Sequence, residues 1–369
     1  MEAEAPGLFF TIIAFLVALS VLVFVHEWGH YIVARWCGVR VQVFSIGFGP
    51  EIYGWDDKHG TRWKISWLPL GGYVKFFGDA GAASNPSDTV DQMTPEERAV
   101  SFHHKSVGKR AAIVAAGPLV NFLFAILIFA GFFFLYGKPY APAIVAEVTE
   151  GSAAEQAGFM PADRILSFNG RSVRSFDELA REIQIHPGIA VTIEVDRDGI
   201  VVPLEAVPNV REQEDRFGNR YRIGFLGISR QVGGEEVLEF GPGGALVEAV
   251  RETARLTRMM LVTTGQIIMG VRSIDDLGGP IRIAKVSGEQ AALGIAAFIG
   301  FMALISINLG LVNLFPIPML DGGHLMFYAI EALKGEPLSV RAQEFGYMVG
   351  LAFVVGLMIL LTWNDLNSL

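Results

Sequence analysis

The stretch Gly7-Leu-Phe-Phe-Thr-Ile-Ile-Ala-Phe-Leu-Val-Ala-Leu-Ser-Val-Leu-Val-Phe-Val25 carries no charge, and the chain runs on from it, with no proline, into His26-Glu27-Trp28-Gly29-His30. An uncharged run of this length crosses about 30 Å of hydrocarbon as a helix, so the chain enters a membrane at its start. Two imidazoles and a carboxylate at the end of that span are expensive: an ionisable group near the bilayer core costs on the order of 2.5–3.5 kcal/mol, which marks it as functional. Residues four apart share a helix face, so His26 and His30 can reach one Zn2+ while Glu27 stands beside them to handle a proton. The pattern points to metal chemistry carried out within the bilayer.

Composition agrees with that class. Hydrophobic residues make up 51% of the chain and charged residues 18%, with a positive mean hydropathy, as expected of a polytopic membrane protein that also carries a soluble part. The net charge of -9 argues against a nucleic-acid partner. A single cysteine, Cys37, excludes an internal disulfide and a thiol-based metal site. The N-terminus MEAEAP has two acids and no basic region, so the first apolar stretch is expected to stay in the mature protein rather than act as a cleaved leader.

Further stretches long enough to span are Ala111 to Tyr136, Ala291 to Leu320 and Phe345 to Asn364, giving four transmembrane helices. Met259 to Val271 is too short and follows Arg251, Arg255 and Arg258 on one stripe; it reads as an amphipathic helix on the membrane surface, with a re-entrant segment as the alternative. The N-terminal tail has no Lys or Arg, whereas Arg35, Arg40, Lys58, Arg62, Lys64, Lys75, Lys105, Lys109 and Arg110 follow span one. The positive-inside rule therefore places the N-terminus outside. Spans one and three then run in the same direction, and Asp321, which closes the third stretch, arrives on the side of the two histidines.

That third stretch ends Asn313-Leu-Phe-Pro316-Ile-Pro318-Met-Leu-Asp321-Gly322-Gly323-His324. Its prolines break the helix, and broken backbone at membrane depth persists only where protein or water lines it. Asp321 is thus either a third ligand or the N-cap of the next helix, and His324 either a partner of the ligands or a rival to them. In the segment after span one, Trp63, Ile65 and Trp67 alternate with Arg62, Lys64 and Ser66, a strand with an edge to offer an extended chain or a sheet resting on the membrane by its tryptophans. Gly117 and Asn121 in span two read as close helix packing with an interhelical hydrogen bond, or as support for the site. His103 and His104 are expected to meet water or lipid headgroups. Between spans two and three, alternating runs (144–148, 191–195, 200–202) flank helices that Ser152 with Glu155, and Ser175 with Glu178, start as capping boxes.

These residues carry a resemblance. His26-Glu-Trp-Gly-His30, Ala116-Gly117-Pro118-Leu-Val-Asn121-Phe and Asn313-Leu-Phe-Pro-Ile-Pro-Met-Leu-Asp321-Gly-Gly-His324, with Ser45-Ile-Gly-Phe-Gly49-Pro, Pro69-Leu-Gly-Gly-Tyr-Val74-Lys, Lys105-Ser-Val-Gly-Lys-Arg-Ala and Gly279-Pro-Ile-Arg-Ile-Ala, resemble the bacterial site-2 proteases of the regulator of sigma-E protease type over nearly the whole chain. Gly158-Phe-Met-Pro-Ala-Asp163-Arg-Ile-Leu-Ser-Phe-Asn-Gly170 resembles the PDZ domains of bacterial membrane and periplasmic proteases. The resemblance implies zinc held by His26, His30 and Asp321, Glu27 as general base, and Asn313 positioning the substrate strand or stabilising the oxyanion. Some relatives carry two tandem PDZ domains; this chain has room for one.

The expected fold is therefore a polytopic α-helical membrane protein with four transmembrane helices, a membrane-associated β region and one periplasmic PDZ domain. Its parts are a first span with the zinc motif (1–30), the cytoplasmic-side β region (31–107), a second span (108–137), the PDZ domain (138–208), a connector (209–290), a third span with the zinc ligand (291–324), a linking segment (325–344) and a fourth span (345–369). The expected activity is that of a zinc endopeptidase of the bacterial inner membrane. Its partners would be the bilayer and single-span membrane proteins, anti-sigma factors or remnant signal peptides, already trimmed by an upstream site-1 protease. A catalytically inert membrane-anchored PDZ scaffold or chaperone is the alternative, and a metal transporter a third reading that four spans serve poorly.

Overall fold

The computed structural model describes residues 6–81, 92–214, 220–230, 236–269 and 278–367. The chain forms two compact units, one made of Met1–Gly131 with Leu246–Leu369 and the other of Phe132–Ala245. The first opens with α1 (Leu8–Trp36), β1 (Val41–Asp56), β2 (Arg62–Phe76), α2 (Pro95–Val100) and most of α3 (Val107–Tyr136). The second holds β3 (Lys138–Tyr140), β4 (Val145–Val148), α4 (Ala153–Gln156), β5 (Arg164–Phe168), β6 (Arg171–Ser172), α5 (Phe176–Gln184), β7 (Val191–Arg197), β8 (Ile200–Ala206), β9 (Asn209–Glu214), β10 (Arg220–Phe225), β11 (Ile228–Arg230) and β12 (Glu236–Leu238). The chain then returns through α6 (Pro242–Ile268), α7 (Pro280–Ala292), α8 (Ile295–Asn313), α9 (Asp321–Lys334) and α10 (Val340–Asn367).

Among the described residues, α1, α3, α8 and Arg341–Asn367 of α10 are long and apolar enough to cross a membrane. Their ends differ from the sequence boundaries. α1 continues past residue 30 to Trp36, because nothing in HEWGH stops a helix. The third stretch does not start a span at Ala291: that residue lies in α7, and the chain turns at Gly294, whose φ of +119° suits glycine alone, before α8 begins. At 19 residues α8 is about 28 Å long, enough to span without the loop that follows.

The expected surface helix is also corrected. Residues 259–268 belong to α6, which starts at Pro242, while Gly270 and Val271 lie outside the described residues. Leu256 and Met260 pack against Ala125 of α3 and against Ala303 and Ile307 of α8, all well inside those helices. The second half of α6 is therefore held beside the spans rather than lying apart on a surface, and among the described residues the helix is unbroken as far as Ile268. Arg258 cuts short the uncharged run, while Leu256 and Met260, four apart, form the seam.

Two cores hold the first unit around the functional side chains. Ala14, Ala18 and Leu22 of α1 meet Phe298 and Met302 of α8, the small residues letting the helices close up. Lower on α1, Tyr31 and Ala34 pack with Phe44, Val74, Phe76, Phe102 and Ile113. The β region in this core is folded back on itself: Phe44 is in register with both Val74 and Trp63, Ile46 with both Gly72 and Ile65, and farther along Trp55 meets Trp63. Both strands bend, so four segments lie side by side in the order 72–76, 41–46, 62–66 and 51–56, and 72–76 is an outer edge. The tryptophans part company here. Trp63 stacks on Phe44 with ring centroids 4.2 Å apart and donates its indole N–H to Asp57, while Trp67 is 67% exposed.

The second unit is a four-stranded antiparallel sheet ordered β6-β5-β7-β8, over which α4 and α5 bury Ala153, Ala154, Leu179 and Ile183. Ser152 and Ser175 cap those helices, accepting the amides of Glu155 and Glu178. The unit extends beyond residues 138–208: β11 pairs with β4, and Leu226 enters the core. Such long-range pairing leaves no local pattern to read.

Candidate metal centre

His26 and His30 lie one turn apart on α1, and each ring is held by its inner nitrogen. His30 Nδ1 is 2.9 Å from the carbonyl oxygen of Ile113 on α3, which can only accept, so the proton sits on Nδ1 and the Nε2 lone pair faces the site. Pro118, lacking an N–H, loosens the helical ladder of α3 in this region. His26 Nδ1 lies 3.1 Å from the side-chain amide of Asn121 on α3.

Close approach of α1 and α3 is a matter of glycine. A Cβ on Gly29 would stand 2.5 Å from the Ala116 carbonyl oxygen, and one on Gly117 would strike His30 Nε2 itself.

Asp321 comes from the other side of the unit. After α8 ends at Asn313 the chain turns through Pro316 and Pro318, takes a left-handed backbone at Met319 (φ +89°), and starts α9 with Asp321 as its first helical residue. The N-cap position is Leu320, so the capping reading of Asp321 is set aside. Side chains at Gly322 or Gly323 would collide with the carbonyls of Leu314, Phe315 or Ile317, which explains two glycines after the aspartate. The helix is anchored farther along: Arg110 of α3 pairs with Glu331 at 2.5 Å and lies over the Tyr328 ring. Asp321, His324, Tyr328 and Glu331 follow one face of α9.

Three potential ligand atoms thus converge. His26 Nε2 is 3.3 Å from His30 Nε2, and Asp321 Oδ2 lies 3.2 Å and 3.5 Å from these two nitrogens. Atoms about 2.0–2.1 Å from a tetrahedral zinc stand about 3.3 Å apart, so the spacing fits that ion. Asp321 Oδ2 is also buried without a hydrogen-bond partner, an orphan that a cation would satisfy. Among the described residues, this is the one group of His, Cys, Asp and Glu side chains gathered closely enough to hold a metal.

A cavity of about 200 Å³ surrounds the group, and Glu27, Asn313, His324 and Tyr347 line it. Glu27 faces the backbone of Val74. Gly72 sits so near α1 that a Cβ would meet Val23 and the Glu27 side chain, which brings the 72–76 edge against the cavity. His324 stays outside the three-atom cluster, with Nδ1 3.4 Å from the Tyr347 hydroxyl. His103, expected to meet water or lipid, instead bonds buried Asp79 at 2.9 Å. Sequence reasoning missed the Ile113 carbonyl, Tyr347 and the cavity-side role of Gly72. A backbone carbonyl leaves no residue-type signal, whereas the glycine pair 71–72 inside a strand pattern did hint at close backbone approach.

Comparison with known proteins bears on this site. The model of peptidase family M50 matches residues 14–357. Two proteins bearing the name putative zinc metalloprotease are similar along nearly their whole length. The one from Agrobacterium fabrum is 48% identical over 97% of this chain and 96% of its own, and the one from Rhizobium meliloti 46% identical over 100% of both. Metalloprotease MmpA of Caulobacter vibrioides is 38% identical over 98% of this chain and 96% of its own.

Proposed function

Because this chain belongs to peptidase family M50, the site-2 protease family, and is a multi-pass zinc metalloprotease, we propose that it is an endopeptidase cutting single-span membrane proteins within the bilayer. His26, His30 and Asp321 are the zinc ligands in this reading. The observation that carries it is the meeting of these three ligand atoms at 3.2–3.5 Å in a cavity that also contains Glu27. Zinc, when bound, supplies Lewis acidity that makes water nucleophilic at neutral pH and polarises a carbonyl.

Glu27 takes the proton from the attacking water and returns it to the leaving amine, work worth about 10²–10⁴ in rate. Asn313, at the end of α8, offers its amide to the substrate carbonyl as negative charge develops there. A peptide bond in a membrane helix is shielded by its own hydrogen bonds, so the substrate must first be drawn out. The 72–76 segment is the outer strand of the β region and borders the cavity, so in this reading an extended chain adds alongside it and is aligned past Glu27.

The Phe132–Ala245 unit is in this proposal a PDZ domain on the periplasmic side, excluding proteins whose outer domain has not been removed by a site-1 cut. Anti-sigma factors and remnant signal peptides both meet that requirement. The test is cleavage of a single-span model substrate by the full-length protein in detergent. Wild type should release the two fragments, and Glu27→Gln and His26→Ala should lower the rate at least a hundredfold. Undiminished cleavage in either variant would overturn the reading, and zinc-free wild-type protein with all five site residues intact would favour an inert scaffold.

A further inference from the structure

Asn121 is buried, with no exposed surface, one turn along α3 from Gly117 and on the same face. Its Nδ2 lies 3.1 Å from His26 Nδ1, while its Oδ1 has no hydrogen-bond partner. Its backbone is fixed as well, since the Ser306 hydroxyl of α8 donates to the Asn121 carbonyl at 2.8 Å.

The two ends of a side-chain amide have the same shape, and hydrogen bonding decides which one faces a neighbour. With Nδ2 donating to His26 Nδ1, the imidazole proton must sit on Nε2, aimed at His30 Nε2 and Asp321 Oδ2. That tautomer cannot give its Nε2 lone pair to a metal. With the amide turned over, Oδ1 accepts a proton from Nδ1, and Nε2 is free to coordinate. In the recorded setting the outer Oδ1 is left without a partner, so nothing on that side holds the amide in it.

We propose that Asn121 is a positioning residue for the metal centre: in the zinc-loaded protein its Oδ1 accepts the Nδ1–H of His26 and holds that ring in the ligating tautomer. The proposal rests on the zinc-ligand reading of His26 and adds an indirect member to the three ligands. His30 receives the same service from a backbone carbonyl, so both imidazoles are fixed by α3. Outer hydrogen-bond partners of this kind set ring orientation and ligand basicity, and their loss typically weakens metal binding by about 10–100-fold.

The experiment compares full-length wild type, Asn121→Asp, Asn121→Leu and His26→Ala in detergent. Zn2+ affinity is measured by competition with a chromogenic chelator, the visible absorption of bound Co2+ reports coordination geometry, and thermal unfolding in excess chelator reports the metal-free fold. Leucine keeps the size and removes both hydrogen-bonding ends; it should weaken Zn2+ binding about 10–100-fold and alter the Co2+ spectrum without a matching loss of metal-free stability. Aspartate can only accept, and should bind Zn2+ as tightly as wild type or more so. Wild-type affinity in Asn121→Leu, or a tenfold or greater loss in Asn121→Asp, would overturn the proposal. Should the leucine variant fail to fold, the aspartate variant decides the matter alone. Retention of Zn2+ by His26→Ala would instead refute the ligand assignment, so the two failures remain distinct.

Discussion

At the scale of single residues, the metal centre depends on atoms that are missing. Gly29 and Gly117 face each other where α1 and α3 touch, and His30 occupies the volume that a side chain at 117 would need. A methyl group there has no empty space to enter: it must push the imidazole off the line that joins the Ile113 carbonyl to the cluster. Gly117→Ala should therefore weaken Zn2+ binding at least tenfold, and overpacking of this kind adds a loss of roughly 1–3 kcal/mol in stability. Zinc content after dialysis against a weak chelator, read beside thermal unfolding, checks both. Normal zinc retention would show that α3 can move away from α1 at no cost to the site. The cluster of His26, Glu27 and His30 was legible as a candidate because ionisable groups one turn apart stand out in an apolar setting, whereas Asp321, far along the chain, was open between ligand and N-cap until the family resemblance favoured the ligand. Gly117 and Asn121 were readable as helix packing or as support for the site, and the sequence could not choose between the two, since a site formed between helices has no spacing along one chain.

At the scale of elements, what matters is how the folded β region presents its edge to the cavity. Its alternating Trp63, Ile65 and Trp67 announced a strand, but the doubling of β1 and β2 into four segments did not follow from any period. The turn between the strands is organised by Asp57, which accepts the amides of His59 and Thr61 at 2.8 and 2.9 Å, the Trp63 indole and the Tyr31 hydroxyl. Partial burial pushes this carboxyl up, yet those donors outweigh it and hold its pKa at about 2. A carboxylate whose folded pKa lies below the unfolded value of about 3.9 adds stability that is fully present above pH 4 and is lost as the pH falls from there through 2. Asp57→Asn should thus lower stability at pH 7 by roughly 1.5–3 kcal/mol, the range for hydrogen bonds to a charged group. The gap between variant and wild type should close as the pH approaches 2. Thermal unfolding at pH 7, 5 and 3 measures it, and a gap independent of pH would assign the effect to shape rather than charge.

At the scale of the whole molecule, hydropathy announced four spans and charge suggested their direction, but neither could find the interruption at Gly294, the depth of α6 or the reach of the second unit to Ala245. Those features come from contacts between distant segments, which composition averages away. Direction remains the property on which the cellular argument turns. The proposed orientation rests on the basic residues that follow the first apolar run and are missing before it, which by the positive-inside rule favour a cytoplasmic β region and an external Phe132–Ala245 unit. One native thiol makes the matter easy to test: Cys37→Ser gives a cysteine-free background, into which single cysteines go at His59, in the exposed turn between β1 and β2, and at Glu150, exposed in the second unit. In intact spheroplasts a membrane-impermeant maleimide should label Glu150→Cys and leave His59→Cys untouched, and permeabilisation should make both reactive. The reverse pattern would put the second unit in the cytoplasm, where it could not screen the outer domains of substrates, and the two-cut order of the proposed reaction would lose its physical basis.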